Sequence, residues 1–189
     1  MITILTEEDL DFCKDAATKR VEWNKQQGNS DIADYNKSLF NLTSAQANLL
    51  GLIVEVALCK VLDVDYTDPA KFVAFSKNYA DFQKPDVLGK YESRRANKKS
   101  SPLPVRKKDL INPGTIIVQG YAHYKQDEKF GRITDYGKVE WNGWIEAGEA
   151  WEMGTEPSWS KNGNSKVVEL TLLKDMESLN DTLGTTREV

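Results

Sequence analysis

The stretch Gly51–Leu62, GLIVEVALCKVL, decides the fold, because it is an almost unbroken apolar run with one carboxylate, Glu55, near its centre. The run belongs to a longer segment, residues 44–64 (SAQANLLGLIVEVALCKVLDV), that follows a capping residue, Thr43 or Ser44. Apolar side chains surround nearly the whole circumference, so the spacing predicts a helix packed on most sides. Glu55 and Lys60 are five residues apart and do not share a helix face, so pairing within the helix does not account for Glu55. A buried carboxylate needs compensation. It comes either from a hydrogen-bonded or arginine partner or from a cation shared with other acids.

Upstream, Thr6 caps a helix with Glu7, Glu8 and Asp9 in its first turn, where the helix dipole favours acids. Leu10, Cys13, Ala17 and Val21 repeat at helical spacing, and Gly28 and Asn29 end the pattern. Downstream the periodicity changes. Asp81–Leu88 reads as a short strand entering a turn at Gly89. Residues 90–96 (KYESRRA) alternate, with Glu92 and Arg94 on one face and Tyr91, Ser93 and Arg95 on the other. Residues 103–110 (LPVRKKDL) read as a brief strand or turn. Residues 114–124 (GTIIVQGYAHY) follow the turn signal NPG and form the clearest strand. Residues 125–137 read as a polar loop or hairpin tip, residues 138–145 (KVEWNGWI) as a strand, and residues 146–154 as a short helix ended by Gly154. The chain then closes with a strand or turn, a helix and a frayed end, GTTREV. Helices come first and a sheet follows, which predicts an α/β or α+β domain with helices flanking a central mixed sheet. The division expected is an N-terminal helical extension, residues 1–43, followed by the main domain, residues 44–189.

Composition narrows the chemistry. The chain has 189 residues, 40% apolar and 29% charged, enough for a real core. Net charge is −4, yet Lys90–Lys108 holds eight basic residues against one acid and carries +7, leaving −11 for the rest. A basic tract in an acidic protein predicts a local anion site. Cys13 and Cys59 read as buried free thiols, which fits a cytoplasmic setting. A single histidine, His123, argues against Cys/His zinc sites and histidine-dependent triads. The amino-terminal residues lack a signal-peptide pattern, and the apolar runs read as too short for a membrane span.

Glu55 in a buried helix, Asp86 after Pro85, and Glu92 beyond the Gly89 turn are positioned to converge. Three such carboxylates repel unless a cation holds them, and an all-oxygen set suits Mg²⁺ or Mn²⁺.

This order of residues resembles the PD-(D/E)XK nuclease superfamily, the restriction-endonuclease-like fold. The likeness runs from about Ser44 to Gly154. It rests on the helix glutamate, Pro85-Asp86, Glu92-Ser93-Arg94, residues 109–121 (DLINPGTIIVQGY) and the Gly143-Trp144-Ile145 strand end that leads into a short helix, as in small bacteriophage nucleases of that superfamily. The resemblance implies a metal-dependent nuclease acting on nucleic acid, DNA in the first instance, in the cytoplasm (the host's, for a phage protein), and often as a homodimer. Asp86 and Glu92 would hold the metal with the Ser93 carbonyl, and Glu55 would hold a second metal or a metal-bound water. Arg94 would contact the scissile phosphate. Arg95, Lys98, Lys99, Arg106, Lys107 and Lys108 would grip the backbone of the nucleic acid. Arg94 stands where the family carries lysine. It keeps the charge but does not readily give up a proton, so Lys107 or Lys108 could take the lysine's place, or the protein could bind without cutting. Trp159 and Tyr121 are candidates for stacking on bases.

Overall fold

The computed structural model describes residues 1–26, 41–74, 84–127, 131–160 and 162–183. The readings for Gly28 and Asn29, for residues 81–83 of the strand expected before Gly89, and for the tail GTTREV lie outside the described residues.

The apolar run forms helix α2, Ser44–Val61. Thr43 is its cap: Thr43 Oγ1 accepts from Gln46 N at 3.2 Å, and Gln46 Oε1 accepts from Thr43 N at 2.8 Å. This reciprocal pair satisfies two backbone donors that the first turn cannot. Leu52, Ile53, Val54, Val56, Ala57, Leu58 and Cys59 are completely buried. Each large side chain among them contributes roughly 1.5–3 kcal/mol. By length and composition alone α2 could cross a membrane, contrary to the sequence expectation, but half of its residues are buried inside the protein. Among the described residues the other α-helices are α1, Glu7–Gln26, which packs on α2, and a seven-residue α3, Ala147–Met153, which ends at Gly154 as expected.

Among the described residues, six strands form two sheets. They are β1 (Ile2–Ile4), β2 (Tyr91–Arg95), β3 (Leu103–Arg106), β4 (Ile116–Gln126), β5 (Ile133–Glu146) and β6 (Ser165–Val168). The main sheet has the order β1-β5-β4-β2, with β2 parallel to β4 and the other pairings antiparallel. The second is the antiparallel pair β3-β6. The domain is therefore mixed α+β, with helices against a four-stranded mixed sheet.

Three expectations need correction. Residues 2–4 form an edge strand that the helical reading overlooked, so residues 1–43 supply both a sheet edge through β1 and a core helix through α1. Strand β5 starts at Ile133, inside the segment read as a loop. The closing helix is also of a different kind, since Met176–Thr182 is 3-10 rather than α.

The two faces of the main sheet have different covers. Tyr91, Ile116, Val118, Ala122, Val139 and Trp141 belong to the core cluster that includes α1 and α2. Ile117 and Ile145 point the other way, into a smaller cluster with Leu103, Val105, Ala147, Ala150 and Val168. Alternation assigns side chains to a helical face or an opposite face, and the register shift opposite Gln119 and Gly120 reverses the parity of β5, so that Trp141 and Ile145 point opposite ways.

Near the end of β5, Gly143 has φ +136, and a Cβ there would sit 2.6 Å from Lys174 O and 2.8 Å from Leu173 Cβ. The closeness arises because Trp144 and Lys174 exchange backbone hydrogen bonds at 3.0 and 2.8 Å, which brings the 170s segment onto the strand. Gly143→Ala is expected to destabilise the fold by about 1–3 kcal/mol through overpacking and an unfavourable backbone angle. A lowered thermal midpoint checks this.

Candidate functional site

The question posed by Glu55 is answered first by α1. Arg20 donates to both its oxygens, Nη1 to Oε1 at 2.9 Å and Nη2 to Oε2 at 2.5 Å. Both side chains are mostly buried. Arg20 Nε also donates to Ala74 O at 2.5 Å, tying helix and loop together. The other charge on the run, Lys60, is paired at 2.8 Å with the buried Asp9 of α1. Burial opposes ionisation of Asp9, but Lys60, the Thr6 N–H and the Tyr66 hydroxyl outweigh it and hold the carboxyl down to about 2. The seam around these pairs is apolar enough that burial pushes the Cys13 thiol up to about 12 and raises the Cys59 thiol as well. Both are free and buried, as expected.

A second charged cluster occupies the opposite face of β2. Glu92 and Arg94 lie in register with Ile117 and Gln119, on the side away from α2. Arg94 Nη1 donates to Glu92 Oε1, and Arg94 Nη2 donates to Asp109 Oδ1 at 2.6 Å. Lys108 Nζ donates to Glu92 Oε1 at 3.3 Å. Burial alone would disfavour the charge on Glu92, yet Arg94 and Lys108 more than compensate, so its carboxyl is lowered. Desolvation likewise opposes the charge on Arg94, and Glu92 and Asp109 raise it on balance. Among the described residues, Arg94 Nε is buried without a hydrogen-bond partner.

Asp109 was missing from the sequence reading. It is buried, accepts from Arg94, and also accepts from Arg106 N at 2.8 Å. It thus locks the 3-10 turn Lys107–Leu110 onto β2. The available signal was an acid directly after a basic tract, three residues beyond Arg106, where a short side chain can bond back to the backbone.

Asp86 lies between the two clusters. Its Oδ2 accepts from Ser93 N at 3.1 Å, which places its carboxylate at the start of β2. The turn there is made by Leu88 and Gly89, both at positive φ, with Val87 bridging to Tyr91. Among the described residues no basic side chain lies within ion-pair distance of Asp86. Burial, then Glu92, then Glu55 push its carboxyl well above the usual range, against the weaker pull of Arg20 and Arg94.

The expected triad is therefore divided. Asp86 senses both glutamates, but Glu55 is on the helical face, paired to Arg20, and Glu92 is on the other, paired to Arg94 and Lys108. Among the described residues no three acids, histidines or cysteines are grouped closely enough to hold a metal ion.

No family model, no curated protein and no solved structure matches this chain.

The basic tract is also divided by its contacts. Arg95 Nη2 donates to Asn97 Oδ1 at 2.8 Å, and Lys99 pairs with Glu140 at 2.6 Å. Lys98, Arg106 and Lys107 are exposed. Lys108 is part of the Glu92 cluster. Trp159 is 59% exposed, whereas Tyr121 is only partly buried, on the face of β4 opposite the helices.

Proposed function

We propose that the chain is a metal-dependent nuclease with a restriction-endonuclease-like core, built around Asp86 and Glu92. The observation that carries this reading is Asp86, which is fixed by the Ser93 N–H of β2, feels the charge of the neighbouring Glu92, and lacks a cationic partner among the described residues. Their donor set suits Mg²⁺ or Mn²⁺, because Mg²⁺ keeps several waters and needs only one or two carboxylates. Glu55 is then not needed as a direct ligand, since Arg20 already neutralises it. When bound, the ion would supply an activated water and neutralise charge on the phosphate. The chain's own residues do the positioning. Ser93 N–H fixes one Asp86 oxygen, and Arg94 and Lys108 fix Glu92. The cationic heads of Arg94 and Lys108 also favour an incoming phosphate at this edge.

Labelled single- and double-stranded DNA incubated with Mg²⁺ or Mn²⁺ tests the reading. Ion-dependent cleavage is expected, and Asp86→Ala should lower it roughly 100- to 1000-fold. Silence with both ions and both substrates would remove the catalytic proposal.

A second reading has its own support. Arg94 is held by two carboxylates and is largely buried, so a phosphate would have to compete for it. That arrangement favours a relative that binds nucleic acid without cutting it. Salt-sensitive binding without cleavage would select this reading.

A further inference from the structure

The opposite face of the main sheet is only partly covered. The β3-β6 pair and α3 pack over Ile117 and Ile145, and Gln119 is buried beneath Pro102 O and Asn142. Beyond them the same face is open. The ladder register lays out two rows across three strands there. One row is Ile2, Glu140 and Tyr121; the next is Ile4, Lys138 and His123. Ile2 is 52% and Ile4 72% exposed, which is unusual for isoleucines on a strand. Tyr121 and His123 meet edge-on with ring centroids 4.9 Å apart. Glu140 holds His123 Nε2 at 3.2 Å and Lys99 Nζ at 2.6 Å.

We propose that this open sheet face is a platform for single-stranded nucleic acid, whose unpaired bases lie on Tyr121, His123 and the two isoleucines. The proposal rests on the nucleic-acid reading above and names the form of the polymer. Three observations favour this occupant. The rings and apolar side chains share one face of the sheet, where bases could stack, and a duplex hides the base faces that such a surface would contact. The charge is complementary: beside the pairs Lys99–Glu140 and Lys125–Asp135, Lys138 shares the row of Ile4 and His123 and the exposed Lys98 adjoins Lys99, whereas the whole chain is acidic. The face is also the one from which Arg94 and Glu92 of the candidate site project, in the rows covered by the β3-β6 pair and Pro102, with Lys98 and Lys99 on the loop between β2 and β3.

The test is fluorescence anisotropy in EDTA with labelled oligo(dT), oligo(rU) and a DNA duplex, each about twelve units long to match the span such grooves cover. The wild-type chain should bind at least one single strand more tightly than the duplex. Tyr121→Ala and His123→Ala should each weaken that binding roughly tenfold. Ile4→Glu, at an exposed position where misfolding is not expected, should weaken it similarly, with an unchanged circular dichroism spectrum. Equal or tighter duplex binding, or normal single-strand binding by Ile4→Glu and His123→Ala, overturns the platform. So does a wild-type dimer in sedimentation that Ile4→Glu converts to monomer, since a second copy would then occupy the face. Cleavage by wild type alongside unaffected binding in these variants refutes the platform alone. Binding through the face without cleavage leaves the platform standing and removes the catalytic reading.

Discussion

Removing the Arg20 side chain should lower the free energy of unfolding by about 3–5 kcal/mol, the range found when one member of a buried ion pair is deleted. Arg20→Met keeps the bulk and removes only the charge and hydrogen bonds. Glu55 would then be an ionised carboxylate in an otherwise apolar stretch of α2, with both oxygens unpaired. The bond to Ala74 O would go too. Asp86 would lose one of the two arginines that offset its own unfavourable charge, so the damage would extend beyond Glu55. The double variant Arg20→Met/Glu55→Leu should recover most of the loss, because two apolar side chains can replace a buried pair without leaving either charge behind. Urea titration measures both, with the slope unchanged and only the midpoint moved. A single variant costing under about 1 kcal/mol would show that Arg20 is not what makes Glu55 tolerable.

The second large effect has opposite signs in stability and activity. Asp86→Asn preserves the shape and can still accept from Ser93 N–H, but removes a charge that burial, Glu92 and Glu55 all oppose. The native-state carboxyl titrates above its unfolded value. The native state therefore holds a proton that the unfolded chain has released, and wild-type stability falls as pH rises from the ordinary carboxylate range through the raised value. Asparagine has no such dependence. The variant should accordingly gain stability relative to wild type across that window and keep the gain above it. At low pH, where both states are protonated, the two should converge. On the nuclease reading the same change should cost about 100-fold or more in ion-dependent cleavage, since half of the carboxylate pair is gone. Thermal melts at several pH values, together with the cleavage assay, separate the two effects. A variant less stable than wild type at neutral pH would mean that Asp86 is compensated by something other than its own proton.

The residues that could be read from the sequence were those whose local pattern and tertiary setting agree. Thr43 with Gln46, the apolar circumference of α2, the alternation of Tyr91–Arg95 and the stop at Gly154 all specify their structure within a few residues. Those that could not be read depend on distant partners. Strand β1 is three residues long and exists because Ile2 pairs with Glu140 and Ile4 with Lys138. The first part of β5 looks like a loop because Thr134, Asp135 and Gly137 are turn residues; the ladder to β4 holds Thr134, and Gly137 supplies a positive φ.

The site was legible as a set of residues and not as a geometry. Glu92 and Arg94 share a face, as alternation requires, but that face is the one turned from α2, which only the sheet's covering elements reveal. Arg20 did carry a signal: Asp9, Cys13, Ala16, Ala17 and Arg20 fall along one stripe of α1, and the two charged ends of that stripe meet the two charges of α2.

The pairing of β1 with β5 joins residues almost 140 positions apart. Closing so long a loop sacrifices chain entropy before the contact returns anything, and contacts of this kind slow folding. The outer ladder is therefore a late step in assembly and an early one to open, whereas the α1–α2 seam links residues much nearer in sequence. A partly assembled chain would already possess its helical core and still lack Ile2 and Ile4, the β1 members of both rows of the open sheet surface. Whatever rests on that surface would in turn hold the last strand in place.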